Sequence, residues 1–131
     1  MSSREETLRE IQTGGVIAII RTDRPADLME VVEALARGGL RCVEVTMTTP
    51  GALEAVREAA RTLSDRCVIG VGSVLDSETA RSAILAGARF VVAPIVERRT
   101  IELCRRYGVA VLPGGLTPTE IVSAWQWGRI W

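Results

Sequence analysis

A glutamate stands in the middle of an otherwise apolar run, Cys42-Val43-Glu44-Val45-Thr46. A run of this kind reads as a parallel strand covered on both faces, where an ionised carboxylate is costly without compensation. Two readings stay open for Glu44. It forms a structural ion pair with Arg21, or it transfers protons in a low-dielectric pocket. Arg21 ends another apolar run, Val16-Ile17-Ala18-Ile19-Ile20, and is either a snorkelling surface side chain or a fork for a substrate carboxylate. Gly70-Val71-Gly72-Ser73 follows a third run. It serves as a simple tight turn, or it lets backbone approach a ligand while Ser73 offers a hydroxyl and an amide. Ala93-Pro94 and Pro113-Gly114 close two further runs.

The missing residue types narrow the chemistry. All 16 basic side chains are arginine, with no lysine and no histidine. Two of the commonest acid/base and nucleophilic groups are therefore lacking, and the N-terminus is the one primary amine. Arginine does not replace lysine, because its guanidinium stays protonated and is no amine nucleophile. Without histidine or an Asp/Glu cluster, a metal-assisted lyase has no ligand set to rest on. Cys42, Cys67 and Cys104 are odd in number and widely spaced, which fits buried small hydrophobes better than a disulfide framework or a zinc site. Zero net charge speaks against nucleic acid and anionic membranes as partners. No stretch approaches the roughly 18 apolar residues of a membrane span, and the charged, amphipathic N-terminus is no secretory signal, so cytoplasm is the expected location.

These candidates need elements to hold them. Short apolar runs at residues 16–20, 42–46, 67–70, 90–93 and 109–112 start 26, 25, 23 and 19 residues apart. Between them lie helical stretches at 5–13, 25–37 and 49–63, then one from the N-cap Asp76 to Gly87, one at 97–107, and one opening at 117. Leu28, Val31, Val32 and Leu35 form one buried stripe, and Leu53, Val56, Ala60 and Leu63 another. Thr49-Pro50 reads as a cap with a first-turn proline, and Thr117-Pro118-Thr119-Glu120 as a capping box. Strand–helix alternation of this kind builds right-handed βαβ crossovers, which place ligand sites at the C-terminal ends of the strands. The 131 residues are fewer than the roughly 200 or more of a complete (β/α)8 barrel, and the last helix heads toward a strand they do not contain. The expectation is one α/β domain over 1–131, a TIM (β/α)8-barrel type limited to about five parallel βα units. Trp125, Trp127, Ile130 and Trp131 are expected to expose apolar surface near the end.

Taken together, Val16-Ile17-Ala18-Ile19-Ile20-Arg21, Gly38-Gly39-Leu40, Val43-Glu44-Val45-Thr46, Gly70-Val71-Gly72-Ser73-Val74-Leu75, Ala86-Gly87-Ala88-Arg89-Phe90, Pro113-Gly114 and Thr117-Pro118-Thr119-Glu120 resemble the 2-keto-3-deoxy-6-phosphogluconate (KDPG) and 4-hydroxy-2-oxoglutarate (KHG) aldolases, in order and spacing. The resemblance covers residues 5–128. It implies a cytoplasmic, usually trimeric, class I aldolase that needs no metal or other cofactor. Such an enzyme cleaves a 2-keto-4-hydroxy acid to pyruvate and an aldehyde. By motif position, Glu44 matches the proton-shuttling glutamate and Arg21 the carboxylate-binding arginine. Ser73 matches the hydroxyl residue of a GxGT motif, and Thr46 and Pro94 would line the same pocket. Ala93 stands where the family has a serine. The family's imine-forming lysine sits on the sixth strand, after the glycine matching Gly128, and none of these residues resembles it. The implied reading is an aldolase family member inactive by itself, or else a non-catalytic keto-acid-binding or oligomeric half-barrel.

Overall fold

Five parallel strands and six α-helices alternate in the computed structural model, which describes residues 4–128. A leading helix α1 (Arg4–Gly14) precedes β1 (Ile17–Ile20), and a 3-10 turn (Pro25–Asp27) leads into α2 (Leu28–Arg37). Then come β2 (Cys42–Thr46), α3 (Ala52–Thr62), β3 (Val68–Gly72), α4 (Ser77–Ala86), β4 (Phe90–Ala93), α5 (Arg98–Tyr107), β5 (Ala110–Pro113) and α6 (Pro118–Gly128). The strands lie side by side in chain order, β1-β2-β3-β4-β5. Successive helices pack on one another, α2 on α3, α3 on α4, α4 on α5 and α5 on α6. Such single winding puts the helices on one face of the sheet and leaves the other as the wall of a barrel lumen.

Side chains alternate between those two faces. Val43, Val45, Ile69, Val71 and Val91 join Leu28, Val32, Val56, Leu63 and Ile101 in the layer under the helices. Cys42, Val68, Phe90 and Ala110 point the other way and pack with Ile11 of α1, which plugs the lumen at the N-terminal ends of the strands. Each fully buried Leu, Ile or Phe contributes roughly 1.5–3 kcal/mol, so both layers are needed to hold the sheet. All three cysteines are buried as free thiols, and burial pushes Cys104 up to about 12. The lumen is open beside β1, where Ile19 is 64% exposed.

Several boundaries differ from expectation for identifiable reasons. β3 runs on past Gly70 through Gly72, so Val71 and Gly72 are strand residues and not part of a turn. α3 begins at Ala52 behind Gly51, which takes a left-handed φ of 71°. Thr49 does not cap it, because the Thr49 hydroxyl bonds to Thr46 Oγ1 and accepts from the Thr22 amide. Asp76 does cap α4, accepting from Thr79 N at 2.6 Å. The capping box of α6 forms in both directions. Glu120 N donates to Thr117 Oγ1 at 3.3 Å, and Glu120 Oε2 accepts from Thr117 N at 3.0 Å. Val31 lies on the exposed side of α2 instead of in its buried stripe. Trp125 is exposed as expected. Trp127 is half-buried, packs against the core, and lies under the Arg98 guanidinium at 5.7 Å. Ile130 and Trp131 fall outside the described residues.

Candidate active site

Glu44 is the central residue of β2 and is 4% exposed. It pairs in register with Ile19 of β1 and Gly70 of β3, and it points into the lumen, as Cys42 does two residues earlier. The lumen wall beside it carries two glycines. A Cβ on Gly72 would overlap the Glu44 carboxylate, and a Cβ on Gly70 would overlap the Phe90 ring. The bare surface of β3 is therefore what gives both side chains their space. Burial raises the Glu44 carboxyl above its ordinary range near 4.5, and the charge of Arg21 draws it part of the way back.

Arg21 follows β1 and reaches across the mouth, with Nη2 3.5 Å from Ser73 Oγ. Among the described residues it forms no ion pair with Glu44 within 4 Å, so the structural ion-pair reading does not hold. Ser73 itself takes a left-handed φ of 59°, an uncommon conformation for a residue with a Cβ. Thr46 is buried at the end of β2, and its hydroxyl lies 3.1 Å from Thr48 Oγ1 and 3.2 Å from Thr49 Oγ1. Thr49 accepts from the Thr22 amide at 3.4 Å, tying the turn after β2 to the residue beside Arg21.

Arg21, Glu44, Thr46 and Ser73 thus gather at the C-terminal ends of β1, β2 and β3. Pro94 follows β4, the strand that pairs with β3. It lines a cavity of about 440 Å³ with Gly114, Gly115, Leu116 and Glu120, where the loops after β4 and β5 meet. Gly114 N donates to Ala93 O at 2.8 Å there, so close that a Cβ on Gly114 would stand 2.5 Å from the Pro94 carbonyl oxygen. Sequence reasoning overlooked Thr49 as a brace between loops, since a threonine before proline resembles a helix cap. Among the described residues no group of three or more His, Cys, Asp or Glu side chains is placed to hold a metal ion.

The buried, raised carboxyl of Glu44 has a readable consequence. The folded state holds that proton more tightly than the unfolded chain does, so stability from this group is full at acid pH and declines as pH rises through the folded value. Glu44→Gln removes the slope. The variant is expected to gain on the native chain between pH 4 and pH 7, ending more stable by about 1 kcal/mol. Urea denaturation across that range checks it. A constant difference at every pH would refute it.

A glutamate buried on the lumen face of β2, an arginine and a hydroxyl at its mouth, and a glycine-cleared wall are joined by a match to known proteins. The family described as "Aldolase: KDPG and KHG aldolase" matches residues 6–130. The chain belongs to the KDPG and KHG aldolase family. The 2-dehydro-3-deoxy-phosphogluconate aldolase of Treponema pallidum is 38% identical over 113 residues, 86% of this chain and 53% of that protein. The Zymomonas mobilis ZM4 2-keto-3-deoxy-6-phosphogluconate aldolase, solved with 3-phosphoglycerate, superposes with a TM-score of 0.86 at 27% identity. That match covers 96% of this chain and 59% of the other. The Legionella pneumophila KDPG aldolase, with pyruvate captured at low pH as a covalent carbinolamine, gives a TM-score of 0.79 at 28% identity, covering 86% and 54%. The chain spans about half the length of the curated KDPG and KHG aldolases it matches. Its five βα units have the arrangement of the corresponding part of those aldolase barrels.

Proposed function

We propose that residues Arg21, Glu44, Thr46 and Ser73 form the keto-acid end of a class I aldolase site acting on 2-keto-4-hydroxy acids. Arg21, with Ser73, takes the substrate carboxylate at the mouth, and Glu44 moves protons below it. The observation that carries this reading is the Glu44 carboxylate, buried within a strand layer and accommodated by the missing side chain of Gly72. A carboxyl raised by burial holds a proton more readily than one in water, which suits it to proton transfer. Thr46 borders the same space, and Pro94 belongs to the rim contributed by the loops after β4 and β5. KDPG and KHG both fit this reading as substrates.

Carbon–carbon cleavage through an imine requires a side-chain amine, and these 131 residues contain no lysine. The 131-residue chain is therefore read as a keto-acid binder that is inactive in cleavage without an amine from elsewhere. Assembly of copies, as a trimer, and a cytoplasmic setting belong to the same proposal. Among the described residues no helix is long and apolar enough to cross a membrane. Incubation with pyruvate and borohydride is expected to leave the mass of this chain unchanged, while pyruvate at millimolar concentration raises its thermal midpoint saturably. A stable reduced adduct would overturn the first part, and no thermal response would overturn the second.

A further inference from the structure

We propose that the cavity between the C-terminal ends of α3, α4 and α5 binds a free α-amino acid with an apolar side chain. This site lies at the opposite end of the strands from Arg21 and Ser73, and the inference does not depend on the keto-acid reading.

The space comes from how three helices stop. α3, α4 and α5 end around it, and the residues just before β4 and β5 line it. Its volume is about 650 Å³, larger than the 440 Å³ beside Pro94. Small-molecule sites span roughly 300–1,000 Å³. Gly87 and Gly108 close α4 and α5 in left-handed turns, with φ of 112° and 67°. A Cβ on Gly87 would stand 2.7 Å from the Ala60 methyl, so a glycine lets the ends of α3 and α4 come together as one wall.

The floor is apolar. Ile84, Ala88 and Val109 are buried there and Ala60 is half-buried. Tyr107 adds a ring whose hydroxyl accepts from Arg81 Nε at 3.1 Å. Such a surface gains from contact with an aliphatic or aromatic side chain. The rim carries both signs of charge. Arg4 and Glu5 come from the start of α1, and Arg89 from the position before β4. Arg4 Nη2 donates to the Gly128 carbonyl at 3.2 Å, anchoring the start of α1. A guanidinium has five N–H donors, so an arginine with a protein partner still has donors for a carboxylate. Glu5 suits an ammonium, and so do the helix ends, whose carbonyls carry partial negative charge. α4 has no basic residue in its last turn to meet that charge. A fatty acid would bring no cation to Glu5, and a simple amine no anion to the guanidinium groups. An α-amino acid brings both charges and an apolar body on one carbon.

Backbone-amide NMR of the native chain, titrated with L-phenylalanine, provides the test. The amides of Ala88, Arg89, Gly108 and Val109 are expected to shift saturably in the millimolar range. Hydrocinnamate lacks the ammonium and phenethylamine lacks the carboxylate. Each is expected to bind at least about threefold more weakly, the worth of a partly exposed ion pair. Glycine, which lacks the apolar body, is expected to lose at least about tenfold. Glu5 is exposed, so Glu5→Gln is expected to fold normally. That variant is expected to weaken L-phenylalanine about threefold or more and to leave hydrocinnamate unchanged. No shift at these amides, or shifts confined to the Arg21 and Ser73 end, would overturn the proposal. Equal binding of the three phenyl compounds would overturn it too, reducing the space to an unselective apolar cavity.

Discussion

Phe90→Ala is expected to cost about 3–5 kcal/mol, a large share of the 5–15 kcal/mol that holds a domain of this size folded. Phe90 is fully buried, and its ring packs with Ile11, Cys42, Val68 and Ala110 to fill the lower lumen. Truncation removes the ring from water-excluded surroundings and leaves a cavity. The usual relief, inward collapse of neighbours, is poor here. The nearest strand position is Gly70, which has no side chain to move in, and Ala110 has only a methyl group. Phe90→Leu keeps most of the volume and is expected to lose under about 2 kcal/mol. Urea midpoints at constant denaturant sensitivity measure both. A Phe90→Ala loss below about 1 kcal/mol would mean that the lumen layer contributes little.

Gly72→Ala is expected to strike the site more than the fold. Gly72 does not need a left-handed backbone, so alanine is allowed there on conformational grounds. The obstacle is the Glu44 carboxylate, which occupies the space of the new methyl group. Either Glu44 leaves its rotamer or β3 shifts, at about 1–3 kcal/mol. With the carboxylate displaced, pyruvate affinity is expected to fall about tenfold or more, or roughly 1.4 kcal/mol. The cause is separable from a general strand effect by a double-mutant cycle. In a Glu44→Ala background the Gly72→Ala step is expected to cost less than about 0.5 kcal/mol, because the conflict is gone. Additive losses would show that the two residues do not compete for space.

The strands were legible because their buried faces leave no polar alternation to obscure them, as in 42–46 and 90–93. β3 was the exception. Its last residues are Gly70-Val71-Gly72, and glycine in a strand carries the same signature as glycine in a turn. Only the cross-strand neighbours, Phe90 and Glu44, show that these glycines serve space and not flexibility. Glu44 itself stood out because a carboxylate is rare in so apolar a run. The approach of Arg21 to Ser73 joins residues 52 positions apart and depends on how the loops fold over the mouth. Thr49 was misread for a related reason. Its hydroxyl was expected to meet the amides of its own helix, but it meets Thr22 and Thr46.

The leading helix has a consequence for cooperativity. A sheet whose strands touch only their sequence neighbours resembles a solenoid, in which stability accumulates unit by unit and the ends unravel first. Helix α1 interrupts that logic. It contacts β2 and β5, and Arg4 Nη2 donates to the Gly128 carbonyl at the close of α6, 124 residues away. It ties the second strand to the fifth and to the last helix, so unfolding is expected to couple these units instead of fraying from one end.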